Sequence, residues 1–225
     1  MAGQRIGSAD RIPYPLQMKL ICISDTHNCQ PEVPNGDILV HAGDLTMSGT
    51  RGETLTTLRW LDQLPHKIKL FIAGNHDFYF EEDFNYDELE NYPSIRYLED
   101  SAQAVDGIKF YGTPWQPWFY DWAFKLPRNG WELQKVWNEI PEDTDVLVTH
   151  APPFGTLDVT RTGERVGCEL LTQRLKEVKP RLHVFGHIHE SYGPTGRKPD
   201  GITYFNASVC DGLYNPVNAP LEFDW

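Results

Sequence analysis

The sequence has no Cys-x-x-Cys pair, no apolar run of membrane-spanning length and no repeat or low-complexity tract. It is also short of basic residues, with 20 Lys and Arg against 32 Asp and Glu. Each absence excludes something. The four cysteines, Cys22, Cys29, Cys168 and Cys210, lack the spacing of a structural zinc site or a disulfide framework, so free thiols in a reducing compartment are expected. A membrane helix needs about 20 consecutive apolar residues, and none is found. The opening stretch MAGQRIGSADRIPYP lacks the apolar core of a secretory signal, which predicts a cytoplasmic protein with no membrane partner. A net charge of −12 repels polyanions, so stable binding of polymeric nucleic acid is not expected. A small phosphorylated ligand is still compatible, because bound cations invert the local sign of the field.

What is present suits one domain. The 225 residues are 40% hydrophobic, enough for a sizeable core. Residues 1–17 read as a polar extension and 18–225 as a single domain. Short apolar runs rich in Val, Ile and Phe recur at 19–24, 37–43, 68–74, 108–112, 145–150, 182–187 and 202–208, as strands buried on both faces should. Helical spacing appears between them, in ETLTTLRWLDQL (Leu55, Leu58, Leu61, Leu64), WELQKVWNEI and CELLTQRLKEV. Alternation of the two predicts an α/β domain. Residues 112–130 contain three prolines and three tryptophans, and read as a long aromatic-packed loop without helix or strand.

The ends of the strand-like runs share a chemistry. Asp25 and His27 follow the first, Asp44 the second, and Asn75, His76 and Asp77 the third; His150 ends the DVLVT run, and His187 and His189 follow LHVF. Each piece alone has an ordinary explanation as a turn or a polar strand end. Five such ends together point to a metal site, because ligands of open α/β sheets bind at the carboxyl ends of strands. Carboxylates, an amide oxygen and imidazoles without thiolate suit a pair of Mn²⁺, Fe²⁺ or Zn²⁺ ions better than Mg²⁺ or Ca²⁺ alone. Ile188, lying between His187 and His189, should point inward and leave both imidazoles on one side of a strand end.

The ordered set D-x-H, G-D, G-N-H-D, a strand-end His and G-H-x-H resembles the signature of the calcineurin-like metallophosphoesterase superfamily. YGTPWQPWFYDWAFKLPR, THAPP, RVGCELL, LHVFGHIHESYG and YFNAS are similar to its metallophosphoesterase-domain-containing (MPPED) group, which resembles class III cyclic nucleotide phosphodiesterases. The resemblance implies a four-layer α-β-β-α sandwich of two mixed sheets flanked by helices. It implies two divalent metals, most readily Mn²⁺ or Fe²⁺/Fe³⁺, with Zn²⁺ an alternative. Asp25, His27 and His189 would hold the first and Asn75, His150 and His187 the second, with Asp44 shared. A metal-bridging hydroxide would attack phosphorus in a small phosphodiester or nucleotide, 2′,3′- or 3′,5′-cyclic nucleotides above all. Asn75 and His76 would act in catalysis, His76 beside the leaving group. A phosphomonoesterase, a nuclease, or a weakly active nucleotide-binding protein are the alternatives.

Two departures refine this. The G-D-x-x-D-R-G pattern of protein phosphatases is missing, since LTMSG follows Asp44, and His76 has no obvious acidic partner. Some MPPED relatives carry glycine where this chain has His187, and its presence implies an active enzyme. Arg165, or Arg161, is a candidate phosphate contact and Trp115, or Trp118, a candidate platform for a base. His41 and His183 read as hydrogen-bonded strand residues, His41 close enough to Asp44 to support the site. His66 has no assigned role, Cys29 lies near the site without being a ligand, and a homodimer is compatible.

Overall fold

The computed structural model describes residues 18–225; the polar extension expected over 1–17 lies outside them. In chain order the elements are β1 (Lys19–Ile23), β2 (Ile38–Ala42), α1 (Arg51–Gln63), β3 (Ile68–Ile72), α2 (Phe78–Glu82), β4 (Ile95–Tyr97), β5 (Ser101–Val105) and β6 (Ile108–Thr113). Then follow β7 (Gln116–Pro117), β8 (Lys125–Leu126), α3 (Trp131–Glu139), β9 (Val146–Thr149), α4 (Glu169–Val178) and β10 (Leu182–Phe185). β11 (Gly193–Pro194), β12 (Thr203–Asn206) and β13 (Leu221–Asp224) complete the fold. Among the described residues no helix is long and apolar enough to cross a membrane.

Two sheets face each other. The first has the order β13-β1-β2-β3-β4, parallel except for β13, and the second β11-β12-β10-β9-β6-β5, with antiparallel edges at β11 and β5. Strand alternation assigns each side chain to a layer. Leu20, Cys22, Ile38, Val40, Leu70 and Ile72 of the first sheet pack between the sheets against Phe110, Val146, Val148, Leu182, Val184 and Phe205 of the second. Their neighbours Ile21, Ile23, Leu39 and Phe71 face outward, where Leu58, Trp60 and Leu61 of α1 cover them. On the far side Leu147 and Phe185 meet Leu133 and Trp137 of α3 and Leu171 and Leu175 of α4. The result is the α-β-β-α sandwich. A strand buried on both faces must be apolar at every position, which is why the runs read as continuous and not alternating.

Helix α1 begins where a capping box closes: Thr50 Oγ1 accepts from Glu53 N–H, and the Glu53 carboxylate accepts from Thr50 N–H at 3.0 Å. It stops at Leu64, because Pro65 disfavours helical backbone in the residue before it. Full burial of Leu58 and Leu61 contributes roughly 1.5–3 kcal/mol each, together more than the roughly 0.5–2 kcal/mol of a cap. All seven apolar runs are strands. The aromatic segment differs from expectation: β6 extends through Thr113, and β7 and β8 form a small parallel pair within 112–130. Backbone bonds from Gln116 N–H to Phe124 O and from Trp118 N–H to Leu126 O zip this pair.

The carboxyl ends of β1, β2 and β3 in one sheet and of β9 and β10 in the other open toward a common place. His150 Nδ1 lies 2.9 Å from Ala42 O, and Val209 N–H donates to Ser24 O, so the sheets are tied together there.

Candidate metal centre

Sharp turns bring the side chains together. Asp25 (φ 54°), His27 (φ 44°), Asp44 (φ 55°) and His187 (φ 68°) all take left-handed backbone without being glycine. Such residues cost on the order of 1–3 kcal/mol each and persist only where surroundings over-determine them. Here Asp25 N–H donates to Gly43 O and His27 N–H to Asp44 O, pinning the β1 turn to the β2 turn. Asp77, fully buried, accepts from Gly74, Leu45 and Thr46 N–H and from the Thr46 hydroxyl, pinning the β2 turn to the β3 turn. Burial, followed by the Asp44 charge, pushes its carboxyl up to about 6.

Glycine serves approach here more than conformational freedom. Gly74 and Gly186 do not have positive φ, yet a Cβ on Gly74 would lie 2.3 Å from Asp44 Oδ1 and one on Gly186 1.9 Å from Asp25 Oδ2.

Donor atoms converge in three overlapping groups. Asp25, His27 and His189 form the first and Asp44, His150 and His187 the second; the third, His27, Asp44 and His76, takes one member from each and adds the His76 ring. His189 Nε2 is 3.2 Å from Asp25 Oδ1 and 3.3 Å from His27 Nε2. Asn75 Oδ1 joins the second group, 2.9 Å from His150 Nε2. Asp44 Oδ2 lies between the first two groups, 3.8 Å from His27 Nε2 and 3.4 Å from His150 Nε2. Donors bound about 2.0–2.2 Å from one ion sit roughly 3 Å apart when adjacent and up to roughly 4.4 Å when opposite, so these spacings, with 4.0 Å from His27 Nε2 to Asp25 Oδ1, fit a cation in each of the first two groups.

The proton arrangement fits as well. A carbonyl oxygen only accepts, so His150 Nδ1 on Ala42 O and His189 Nδ1 on Asp211 O both carry hydrogen. The Nε2 atoms that remain are then lone-pair donors facing carboxylate and amide oxygens, an arrangement that needs a cation between the partners. In the bare protein a proton serves. Burial would lower both imidazoles, but Asp44 and then Asp25 raise His150 to about 9, and Asp25 raises His189 to about 9. Burial likewise opposes ionisation of Asp25 and Asp44, and the surrounding imidazoles overcome it, holding both carboxyls well below their usual range. His187 is pushed down to about 3, by burial and then by His150, which leaves it neutral and able to donate.

His187 and His189 do not share a strand face as alternation suggests. The chain leaves β10 at Phe185, His187 turns through left-handed backbone, and His189 begins a 3-10 turn, His189–Ser191. That turn sends the two rings into different donor groups. The His187 backbone serves the other group too, its N–H donating to the Asp25 carboxylate at 3.1 Å.

His76 occupies the cavity wall. Its N–H donates to Asp44 Oδ1 at 2.8 Å, and its Nδ1 donates to Met47 O at 2.7 Å. A backbone carbonyl thus orients the ring in place of an acid, leaving Nε2 free. Trp115 and Arg165 are held elsewhere. The Trp115 indole N–H donates to Asp100 at 2.9 Å while its ring packs on Phe124, and Arg165 forms an ion pair with Asp158 at 2.6 Å. Neither lines the metal cavity, and nor do Arg161 and Trp118. His41 bonds Thr26 Oγ1 and His183 bonds Thr149 Oγ1, both at 2.9 Å, and burial keeps each imidazole neutral. His66 contacts Pro34 O, and Cys29 Sγ lies near Tyr214 O, outside both donor groups.

The cavity over the donors, about 210 Å³, has walls that motif reading did not single out: Phe119, Trp122, Glu190 and Tyr214. Trp122 packs on His76 with ring centroids 4.4 Å apart, and Tyr214 meets His27 edge-on at 4.7 Å. Ala123 N–H donates to Asn75 O, which is how the aromatic segment reaches the site. Ser208 was equally unmarked; its hydroxyl is 2.8 Å from Asp25 Oδ2. The YFNAS segment carries it, but only the pairing of Ser24 with Ser208 across the two sheets shows what it touches.

Residues 18–191 match the family model described as calcineurin-like phosphoesterase. The chain is 45% identical to human metallophosphoesterase domain-containing protein 1, over 96% of this chain and 74% of that protein. It is 42% identical to a probable rhamnogalacturonate lyase C of Emericella nidulans, over 78% of this chain but 17% of that protein. The crystal structure of TT1561 of Thermus thermophilus superposes with a TM-score of 0.60, covering 85% of this chain and 89% of that one at 12% identity, which speaks to the fold.

Proposed function

Because the chain belongs to the calcineurin-like phosphoesterase family of phosphoric ester hydrolases, we propose that it is a dinuclear metal-dependent phosphodiesterase for small diesters, 2′,3′- or 3′,5′-cyclic nucleotides foremost. The observation that carries this is the pair of donor groups meeting at Asp44 beneath one cavity. Asp25, His27 and His189 would hold one divalent ion and Asn75, His150 and His187 the other. The all-nitrogen-and-oxygen donor set suits Mn²⁺ or Fe²⁺/Fe³⁺, and Zn²⁺ also. Bound there, the ions supply Lewis-acid activation of water and of the phosphoryl oxygens.

The side chains do the rest. Asp44 sits between the groups, and its Oδ1 is fixed by His76 N–H so that Oδ2 faces both. Trp122 and the Met47 carbonyl hold the His76 ring, whose Nε2, when protonated, delivers a proton to the departing alkoxide. Asn75 Oδ1 lies beside His150 Nε2 in the second donor group, and the Asn75 backbone carbonyl anchors the aromatic wall.

Charge favours a diester over a monoester. No Lys or Arg is among the residues lining the cavity, and Glu190 is. A monoester brings two negative charges near neutral pH and a diester one; the ions would attract both, but the wall offers no cation to the extra charge and sets Glu190 against it, so the wall adds a preference for the diester. Hydrolysis of bis-p-nitrophenyl phosphate with Mn²⁺, lost in His187→Ala and in Asp44→Asn, is the test. Inactivity across Mn²⁺, Fe²⁺ and Zn²⁺, or a preference for p-nitrophenyl phosphate, would refute it.

A further inference from the structure

A second cavity of about 180 Å³ adjoins the first and shares Phe119 and His187 as walls. Its other walls are mainly apolar, with Pro117, Ala151, Val166 and Ile188 among them. Small-molecule sites run from about 300 Å³ upward, so neither cavity alone reaches that size and the two joined do. Arg128 also borders the second cavity, but its guanidinium is engaged by the carbonyls of Val166 and Gly167 and by Glu169. No free charge is left there for a phosphate. The remaining polar walls, Gln116 and Thr160, are neutral, so an uncharged occupant fits best.

We propose that this second cavity receives the flat, uncharged part of the ester group that stays on phosphorus, and that Phe119 is the specificity-determining face it packs on. The proposal rests on the reading that a phosphodiester sits over the two donor groups. Orientation follows from the walls. His76, with Trp122 and Tyr214 around it, borders only the first cavity, whereas His187 borders both. A leaving group beside His76 places the retained group past His187. The Ile188 side chain, lying between two metal-facing histidines, is buried against this lobe instead of the intersheet core. The Phe119 ring is 55% exposed and packs edge-to-face on Tyr120, so its outer face is open to a ligand.

The experiment compares two diesters with the same leaving group, phenyl p-nitrophenyl phosphate and methyl p-nitrophenyl phosphate, in Mn²⁺. The wild-type protein should prefer the phenyl diester in kcat/KM by about fivefold or more, chiefly through KM. Phe119→Ala, and separately Val166→Phe, which fills the lobe, should bring that ratio toward one. Because Phe119 is largely exposed, its truncation leaves the fold intact. A wild-type ratio near one, or a ratio unmoved by both variants, overturns the proposal. Calorimetric binding of phenylphosphonate against methylphosphonate repeats the comparison without turnover. If neither diester is hydrolysed but phenylphosphonate binds tighter and both variants abolish the difference, the phosphodiesterase reading fails and the lobe assignment stands. Equal binding of the two phosphonates refutes the lobe.

Discussion

Gly186→Ala tests whether the metal centre is assembled by close approach. The added methyl would lie 1.9 Å from Asp25 Oδ2 and 2.2 Å from Ser24 Oγ, both far inside any tolerable contact. Neither neighbour is free to retreat. The Asp25 carboxylate is held by His187 N–H and Ser208 Oγ, and Ser24 lies at the end of β1, bridged to Ser208. Overpacking at such a point costs about 1–3 kcal/mol. For a domain of this size that lowers Tm by roughly 3–10 °C. Displacing a donor by about 1 Å costs on the order of a hundredfold in rate. The assays are thermal unfolding with and without Mn²⁺, metal content after dialysis, and diester hydrolysis. Gly52→Ala is the matched control, because nothing lies within 4 Å of its Cβ and it sits in the first turn of α1. That change should raise stability by about 0.5 kcal/mol through lost unfolded-state freedom. If Gly186→Ala keeps wild-type Tm, metal content and rate, the close-approach reasoning is wrong.

Ser208→Ala removes a hydroxyl 2.8 Å from Asp25 while keeping every proposed ligand in the chain, and should weaken metal affinity about 10- to 100-fold while leaving the fold cooperative; unchanged affinity in a metal titration would show that the hydroxyl does not orient Asp25. Chelation should lower Tm by about 5–10 °C relative to protein at 100 times the metal Kd, since binding the native state there is worth about 2.7 kcal/mol. A Tm indifferent to chelator and to added Mn²⁺ would refute a cation between the carboxylates and imidazoles. Glu190→Gln should raise the monoester-to-diester ratio of kcat/KM about threefold by removing the negative wall charge, and an unchanged ratio would sever Glu190 from substrate selection.

The doubly buried strands and the donors at their ends were legible because both follow from local patterning. A strand covered on both faces needs unbroken apolar sequence, and a ligand must be a residue type with the right donor atom. The edges were not legible. β4, β5 and β13 have 3, 5 and 4 residues, and each buries only alternate positions because it is covered on one side, so none presents an unbroken apolar run and packing beyond its own sequence decides it. His187 and His189 show the same division within three residues: their chemistry is in the sequence, but a left-handed turn, not strand alternation, assigns them to different donor groups.

Trp115 and Trp122 make the point for the substrate cavity. Both are tryptophans of one Pro-rich segment, and nothing local separates them. A bond to Asp100 draws the first inward, whereas Ala123 N–H on Asn75 O delivers the second to His76. Arg165 was likewise a free cation by sequence and is a partner of Asp158 in space. By itself the sequence determined the fold class, the donor types and the order in which strands supply them. Tertiary structure alone decided which backbone carbonyl orients each imidazole, which aromatic faces the cavity and where a second lobe opens. Those depend on contacts between residues about 30 to 180 positions apart, for which one-dimensional spacing has no signal.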